Sequence, residues 1–173
     1  MKLFIGTVFE KEQLLQLNKI QQQWLPQIKE GSIVPANRLN YVWHFFNDSI
    51  NSIDEINAKL RLIEGKCFYT SFCGMMGRLG GQIDVQLKTC SEFLSVKKQL
   101  EAMFINENSF NKKFRPSIAI FKNCDLFLPF AEAKKSIMLF NKPFLCTGFD
   151  LFQNVSDNKK DGIKSIFHYD LKK

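Results

Sequence analysis

Side chains able to exchange a proton near neutral pH are few, because the chain has only two histidines, His44 and His168. His44 lies in a segment, residues 38–46, whose residue types predict a β-strand. On an unbroken strand Asn40, Val42 and His44 share one face, so His44 is a candidate for contact with a ligand on that face. His168 lies in a predicted terminal hairpin, and we interpret it as structural or exposed.

The cysteines do not indicate a metal site. They are five in number and scattered, and no pair has C-x-x-C spacing. We predict reduced thiols that pack as small hydrophobic side chains, and neither a metal nor any other cofactor. No G-x-S-x-G element indicates a serine nucleophile. The five residues are Cys67, Cys73, Cys90, Cys124 and Cys146.

The glycine-rich segment GMMGRLGG, residues 74–81, invites comparison with phosphate-binding loops. It has neither the G-x-G-x-x-G spacing nor the terminal Gly-Lys-Ser/Thr of a Walker loop, and no helix is predicted directly after it. We therefore predict that residues 75–81 are a mobile connection.

The charge balance is basic, with 24 Lys+Arg against 17 Asp+Glu and a formal net charge of +7. The lysines are spread along the chain, which favours a solvated surface, although a polyanionic ligand is compatible with it. The 45% hydrophobic and 24% charged residues are typical of a folded soluble protein. The sequence shows no signal peptide and no apolar run of about 18 residues, so we expect a cytoplasmic protein without membrane association.

Residue periodicity predicts alternating strands and helices. The first helical pattern covers about residues 14–28, with Pro26 kinking or ending it. Capping boxes at Ser52–Glu55 and Thr89–Glu92 predict two further helix starts, and Pro129 opens a short fourth helix. Loops are predicted at 47–52 and 105–113, and strands at 2–9, 33–35, 38–46, 67–73, 82–88, 116–122, 144–153 and 163–171. This order predicts a mixed α+β domain.

Two segments resemble the signatures of one protein family. Residues 35–48 (PANRLNYVWHFFND) resemble the first signature of the two-histidine (2H) phosphoesterases, in which a strand carries His-x-Thr-x-Arg-Phe. Residues 114–120 (FRPSIAI) resemble the second signature, Phe-Arg-Pro-His-x-Thr-x. The opening MKLFIG and residues 148–171 resemble the first strand and terminal hairpin of the RNA 2′,3′-cyclic phosphodiesterase, or 2′-5′ RNA ligase-like, branch. The resemblance therefore spans nearly the whole chain.

The resemblance implies a bilobal fold in which two pseudo-symmetric, mainly antiparallel sheets flank a central cleft with helices outside. It further implies a single domain, residues 1–173, of two interleaved lobes. In active members one histidine is the base and the other the acid in phosphodiester cleavage, and the threonine hydroxyls hold phosphate. Here Asn40 and Val42 replace the first His-x-Thr, and Ser117 and Ala119 replace the second. Neither an amide nor an unactivated hydroxyl exchanges a proton near neutral pH, so a pseudoenzyme is predicted.

The remaining polar groups are candidate ligand contacts. They are Asn40, Ser117, His44, which stands where relatives carry arginine, and Arg115, whose guanidinium suits phosphate. They predict binding of a nucleotide or an RNA-end phosphate. Separately, we expect a monomer. Two alternatives stay open: an active RNA 2′,3′-cyclic phosphodiesterase that uses non-standard residues such as His44, and a non-catalytic protein-interaction module. An open cleft would favour binding, and a cleft filled by side chains would favour the interaction module.

Overall fold

The computed structural model of the chain describes residues 2–7, 9–46, 52–104, 115–157 and 160–173. The predicted loops at 47–52 and 105–113 lie almost wholly outside the described residues. The helices are α1 (Lys11–Trp24), α2 (Ile53–Leu60), α3 (Ser91–Phe104) and α4 (Phe130–Ala133), with 3-10 turns at Leu25–Gln27, Ala36–Arg38 and Lys134–Ser136. The strands are β1 (Lys2–Thr7), β2 (Ile28–Ile33), β3 (Tyr41–Phe45), β4 (Phe68–Thr70), β5 (Phe72–Arg78), β6 (Gln82–Leu87), β7 (Ser117–Leu126), β8 (Phe144–Cys146), β9 (Gly148–Asp157) and β10 (Lys160–Asp170).

Two four-stranded sheets form the body of the molecule. Sheet A has the strand order β10-β9-β1-β3, and sheet B has the order β2-β7-β6-β5. Neighbouring strands run antiparallel in both sheets. A short antiparallel ladder joins β4 to β8. The predicted mixed α+β fold with two mainly antiparallel sheets is confirmed.

Helices pack on one face of each sheet. Helix α3 lies on sheet A, where the rings of Phe93 and Trp43 are 4.6 Å apart between centroids. Helix α1 lies on sheet B, where the buried Gln21 amide donates a 3.0 Å hydrogen bond to the Ile120 carbonyl. Among the described residues, no helix has the length and apolar character needed to cross a bilayer.

The local signals at two helix ends act as predicted. The Glu55 backbone N–H donates to the Ser52 hydroxyl at 3.2 Å, and the Ser52 N–H donates to the Glu55 carboxylate at 3.3 Å. This capping box satisfies two backbone donors at the start of α2. Pro26 ends α1 at Trp24 through a 3-10 turn, because proline cannot donate the next helical hydrogen bond. Ile28, predicted as the last helical position, therefore begins a strand.

The predicted capping box at Thr89–Glu92 is wrong, because the cap of α3 lies one residue later, at Cys90. Helix α3 begins at Ser91, and the sulfur of Cys90 accepts the Phe93 N–H at 3.4 Å. Cys90, not Thr89, therefore takes the capping position. The S/T-x-x-E pattern is met at both sites, but the local backbone decides which residue precedes the first helical turn.

The prediction of a mobile connection at residues 75–81 is wrong for residues 75–78, which belong to a strand. Strand β5 runs to Arg78, and a tight turn at 79–81 leads into β6. Gly80 and Gly81 have φ values of +80° and +71°, which residues with side chains adopt at a cost. The Gly81 carbonyl accepts the Cys124 N–H at 2.7 Å. The glycines therefore form a tight hairpin turn between β5 and β6.

Candidate functional site

A cleft of about 570 Å³ lies between sheets A and B. The four motif positions, Asn40, Val42, Ser117 and Ala119, all line it. The structure thus brings both signature segments together. The other lining residues are Phe4, Phe45, Asn154 and Ile163 from sheet A, Ser32, Ile33, Arg78, Gln82, Asp84 and Lys122 from sheet B, and Val34, Pro35 and Arg38 from the β2–β3 connection.

A β-bulge in β3 decides which of its side chains enter the cleft. The pairing of β3 with β1 skips Trp43, which lies between Val42 and His44. Beyond the bulge the alternation of faces is reversed, and Phe45 rather than His44 lines the cleft. The prediction that Asn40, Val42 and His44 share one face is therefore wrong for His44, because the bulge at Trp43 interrupts the strand.

The imidazole of His44 lies among aromatic side chains beside α3. Its ring centroid is 4.8 Å from that of Phe46 and 5.7 Å from that of Phe104. Burial and the neighbouring Lys97 ammonium lower the pKa of His44, although the Glu101 carboxylate opposes this shift. The structure thus gives His44 a packing role, and its contact with a ligand stays a prediction.

Strand β7 also carries a bulge, in its pairing with β6. The register passes from Ala119 to Phe121 and skips Ile120, which is buried. Ser117, Ala119 and Lys122 line the cleft. Because of the bulge, Lys122 faces the cleft together with Ser117 and Ala119. In a strand without a bulge, Lys122 would face the opposite side from Ser117.

A buried carboxylate organises the sheet B side of the cleft. The Asp84 side chain, 3% exposed, accepts hydrogen bonds of 2.7 Å from the Ser117 hydroxyl and 2.7 Å from the Gln82 amide. It also forms an ion pair with the Nε–H of Arg78. Nη2 of Arg78 donates to the Ser117 hydroxyl at 2.9 Å. Ser117 therefore has both an acceptor and a donor partner, and its hydroxyl is held in one orientation.

The cleft is also lined by three cationic residues that the sequence analysis did not identify as site residues. They are Arg38, Arg78 and Lys122. Among the described residues that line it, Asp84 is the one acid. Two of the four arginines of the chain therefore lie at this cleft. The sequence pattern misses Arg78 because its strand resembles a glycine-rich loop. Anions are favoured by this charge balance.

Arg115 and His168 are not among the described residues that line the cleft. Arg115 is exposed and precedes β7, and a ligand contact there also stays a prediction. The Nδ1 atom of His168 bonds to the buried Asp150 carboxylate, which also accepts the Ser165 hydroxyl at 2.7 Å. The hydrogen bond with Asp150 raises the pKa of His168. His168 is thus tied into sheet A.

Comparison with known proteins supports the architecture. No family model matches the sequence, and no curated protein matches it. The solved structure of TT0787 from Thermus thermophilus matches with a TM-score of 0.79 and 17% identity over 99% of this chain and 98% of that one. Apo LigT of E. coli matches with a TM-score of 0.77 and 16% identity over the same shares. Complexes of E. coli LigT with 3′-AMP, phosphate, NADP+ and ATP match at TM-scores from 0.70 to 0.77 and 14–15% identity, over 99% of this chain and 98% of each matched chain.

Proposed function

Since the chain has the fold of the 2H phosphoesterases, we propose that it binds the phosphate of a nucleotide or an RNA end in the cleft and lacks 2′,3′-cyclic phosphodiesterase activity. The observation that carries this proposal is the composition of the four motif positions. Asn40 and Ser117 stand at the two histidine positions, and both line the cleft. We thus propose that the cleft retains ligand binding although catalysis is absent.

The case against catalysis rests on proton transfer. General acid–base catalysis contributes about 10²–10⁴-fold per group in typical enzymes, and an amide supplies none of it. Ser117 is engaged by the Asp84 carboxylate and the Arg78 guanidinium, so its hydroxyl is already partnered. Val42 and Ala119 also lack the hydroxyl that holds phosphate in the family's motif. We infer that His44 does not replace these groups, because it is not among the described residues that line the cleft.

The case for binding rests on the polar groups that remain. The Ser117 hydroxyl already donates to Asp84, but the guanidinium of Arg78, the ammonium of Lys122 and the side-chain amide of Asn40 also line the cleft. Phosphate oxygens accept charge-assisted hydrogen bonds from such donors. LigT of E. coli, which shares the fold, has been solved with 3′-AMP and with phosphate. We infer that this cleft takes a ligand of the same chemical class.

An activity assay tests the catalytic half of the proposal. Purified protein incubated with a nucleoside 2′,3′-cyclic phosphate is expected to show no hydrolysis above that of buffer. The combined variant Asn40→His, Val42→Thr, Ser117→His and Ala119→Thr is expected to gain activity, because it restores both proton-transfer groups and both hydroxyls. Turnover by the unmodified protein that disappears in His44→Ala would overturn the proposal and establish catalysis by a non-standard residue.

A titration tests the binding half. Calorimetric titration with 3′-AMP at low salt is expected to show binding that weakens as salt is added. Lys122→Gln should weaken it about three- to tenfold, because one charge-assisted contact is lost. Lys134→Gln is the matched control, since Lys134 is also exposed but does not line the cleft. Equal affinities for the two variants would contradict the proposed site.

A further inference from the structure

Two side chains at the end of β3 lie against the usual preference of their residue types. Phe45 lines the cleft and is 64% exposed, whereas the imidazole of His44 packs beside α3 against the ring of Phe104. Without the bulge at Trp43, the alternation of faces would place His44 at the cleft and Phe45 beside α3. Burial of apolar surface favours that exchange. Other contacts must therefore hold the bulge.

The carbonyl of the bulge residue is bound from helix α3. Nζ of Lys97 donates a 3.1 Å hydrogen bond to the carbonyl oxygen of Trp43. The extra residue of a bulge has no partner in the strand pairing, so its backbone groups need partners from elsewhere. The Lys97 side chain is 16% exposed, and its ammonium forms an ion pair with the Glu101 carboxylate at 3.2 Å. A charge-assisted hydrogen bond in such a site is strong, because little water competes for it.

The side chain of Trp43 is fixed by other contacts. Its indole N–H donates to the Thr7 hydroxyl at 2.7 Å, and its ring lies 4.6 Å from that of Phe93 between centroids. Trp43 follows Val42, which lines the cleft, so it lies on the α3 side of β3 with or without a bulge. These contacts therefore fix the indole ring but do not distinguish a bulged strand from a regular one. The hydrogen bond from Lys97 acts on the backbone itself.

We propose that Lys97 is a positioning residue of the cleft. By binding the Trp43 carbonyl it keeps β3 bulged, which directs Phe45 to the cleft and keeps His44 away from it. Lys97 is not among the described residues that line the cleft, so it acts through β3 from the other face of sheet A. The inference deepens the proposed function and rests on it only for the effect on ligand affinity.

NMR spectroscopy of the pair formed by β1 and β3 tests the position of the strand. In the unmodified protein, nuclear Overhauser contacts are expected between the backbones of Ile5 and His44, which are paired. In Lys97→Met the pairing beyond the bulge is expected to shift by one residue, so that Ile5 pairs with Trp43 and Phe4 with His44. If Lys97 served stability alone, Lys97→Met would be less stable but would keep the original pairing.

Two control variants and one measurement on the unmodified protein complete this test. Lys97→Arg keeps a cationic donor and is expected to keep the original pairing. Lys98→Met is the matched control, because Lys98 is the next residue of α3 and is exposed. In the unmodified protein, the ammonium hydrogens of Lys97 are expected to exchange with water more slowly than those of Lys98, because the Lys97 ammonium is hydrogen-bonded and mostly buried.

Calorimetric titration with 3′-AMP measures the consequence for binding. Lys97→Met is expected to bind 3′-AMP about two- to thirtyfold more weakly than the unmodified protein, because the side chains of one cleft wall are exchanged. Lys97→Arg and Lys98→Met are expected to stay within about twofold of the unmodified protein. Because Lys97 does not line the cleft, a loss of affinity in Lys97→Met that Lys97→Arg restores indicates an effect transmitted through β3.

The outcomes separate this inference from the proposed function. Retention of the pairing between Ile5 and His44 in folded Lys97→Met overturns the inference. If Lys97→Met does not fold, the exchange measurement decides, and exchange at Lys97 as fast as at Lys98 overturns the inference. A shifted pairing with unchanged affinity overturns the role of Lys97 in binding. Absence of 3′-AMP binding by the unmodified protein overturns the proposed function and leaves the effect of Lys97 on β3 standing.

Discussion

Trp43 and Ile120 occupy equivalent positions in the two strands that carry the signature segments. Each is the extra residue of a β-bulge, and each follows the first motif position, Asn40 or Ser117, by three residues. The two strands thus share a local backbone geometry although their side chains differ. The bulge residues are buried, and the second residue after each bulge residue returns to the cleft.

The buried carboxylate of Asp84 balances the charge of Arg78. Asp84→Asn is expected to lower the free energy of unfolding by about 1–3 kcal/mol, because the buried network loses its charged acceptor. The same change should tighten binding of inorganic phosphate, because the guanidinium loses its counter-charge. Urea unfolding and calorimetric titration measure the two effects.

Asp125→Asn is the control for that prediction, because Asp125 pairs with Lys29 at 3.6 Å and both side chains are exposed. It is expected to change the free energy of unfolding by at most about 0.5 kcal/mol. Equal destabilisation by the two variants would show that the burial of Asp84 is not what matters.

The capping box of α2 predicts a measurable stability effect. Ser52→Ala removes the oxygen that accepts the Glu55 N–H and is expected to cost about 1 kcal/mol of stability. Thr89→Ala, at the corresponding position of the predicted box, is expected to stay within about 0.5 kcal/mol of the unmodified protein. Thermal or urea unfolding compares them. A similar loss in both variants would place the cap of α3 at Thr89 after all.

The turn between β5 and β6 predicts a difference between adjacent glycines. A Cβ on Gly80 meets nothing within 4 Å, so Gly80→Ala carries only the cost of positive φ, about 1–2 kcal/mol. A Cβ on Gly81 would clash with the backbone of Cys124, so Gly81→Ala is expected to be clearly more destabilising. Unfolding midpoints test the order, and the reverse order would contradict the described turn.

His168 predicts a pH dependence of stability. The hydrogen bond with Asp150 raises the pKa of His168 above its ordinary value, so the folded state favours the protonated ring. Its contribution to stability is full below the ordinary value of about 6.5 and is lost as pH rises through the raised pKa. The stability advantage over His168→Asn should therefore shrink as pH rises from about 6.5 through the raised pKa.

His44 is a control for this prediction, because its effect on stability is expected to change with pH in the opposite direction. Its pKa is lowered, so its contribution to stability is present above its ordinary value and is lost as pH falls through the lowered pKa. The advantage over His44→Asn should therefore shrink toward acid. Urea unfolding over a series of pH values distinguishes the two slopes, and slopes of the same sign would contradict one of the two environments.

Local patterns predicted most of the elements. Alternation along residues 116–122 and the helical spacing before Pro26 correspond to β7 and α1 because burial of one face sets those periods. The prediction fails at residues 75–78, where glycines suggested a loop. Residues 75–78 form the end of β5 because they pair with β6, and such pairing is not visible in local composition.

The site was only partly predictable for the same reason. The resemblance located Asn40 and Ser117 at the cleft, because aligned motifs carry over backbone positions. The bulge at Trp43 inserts one residue into β3. The alternation of side chains in a regular strand therefore predicted that His44 faces the cleft, whereas Phe45 does so. Arg78 reaches the cleft through sheet pairing with β6, a relationship between distant segments that the spacing within one strand does not encode.

The strand order of sheet A has a consequence for biosynthesis. Strand β1 pairs with β9 on one side and with β3 on the other, so one of its partners is made only when nearly the whole chain has been translated. Long-range pairing of this kind slows folding, because the connecting chain must be ordered first. Before β9 is translated, any β1–β3 pair would expose an unpaired edge of β1, and exposed edges of this kind favour misassociation. A cut anywhere between β3 and β9 would leave neither fragment with a complete sheet A.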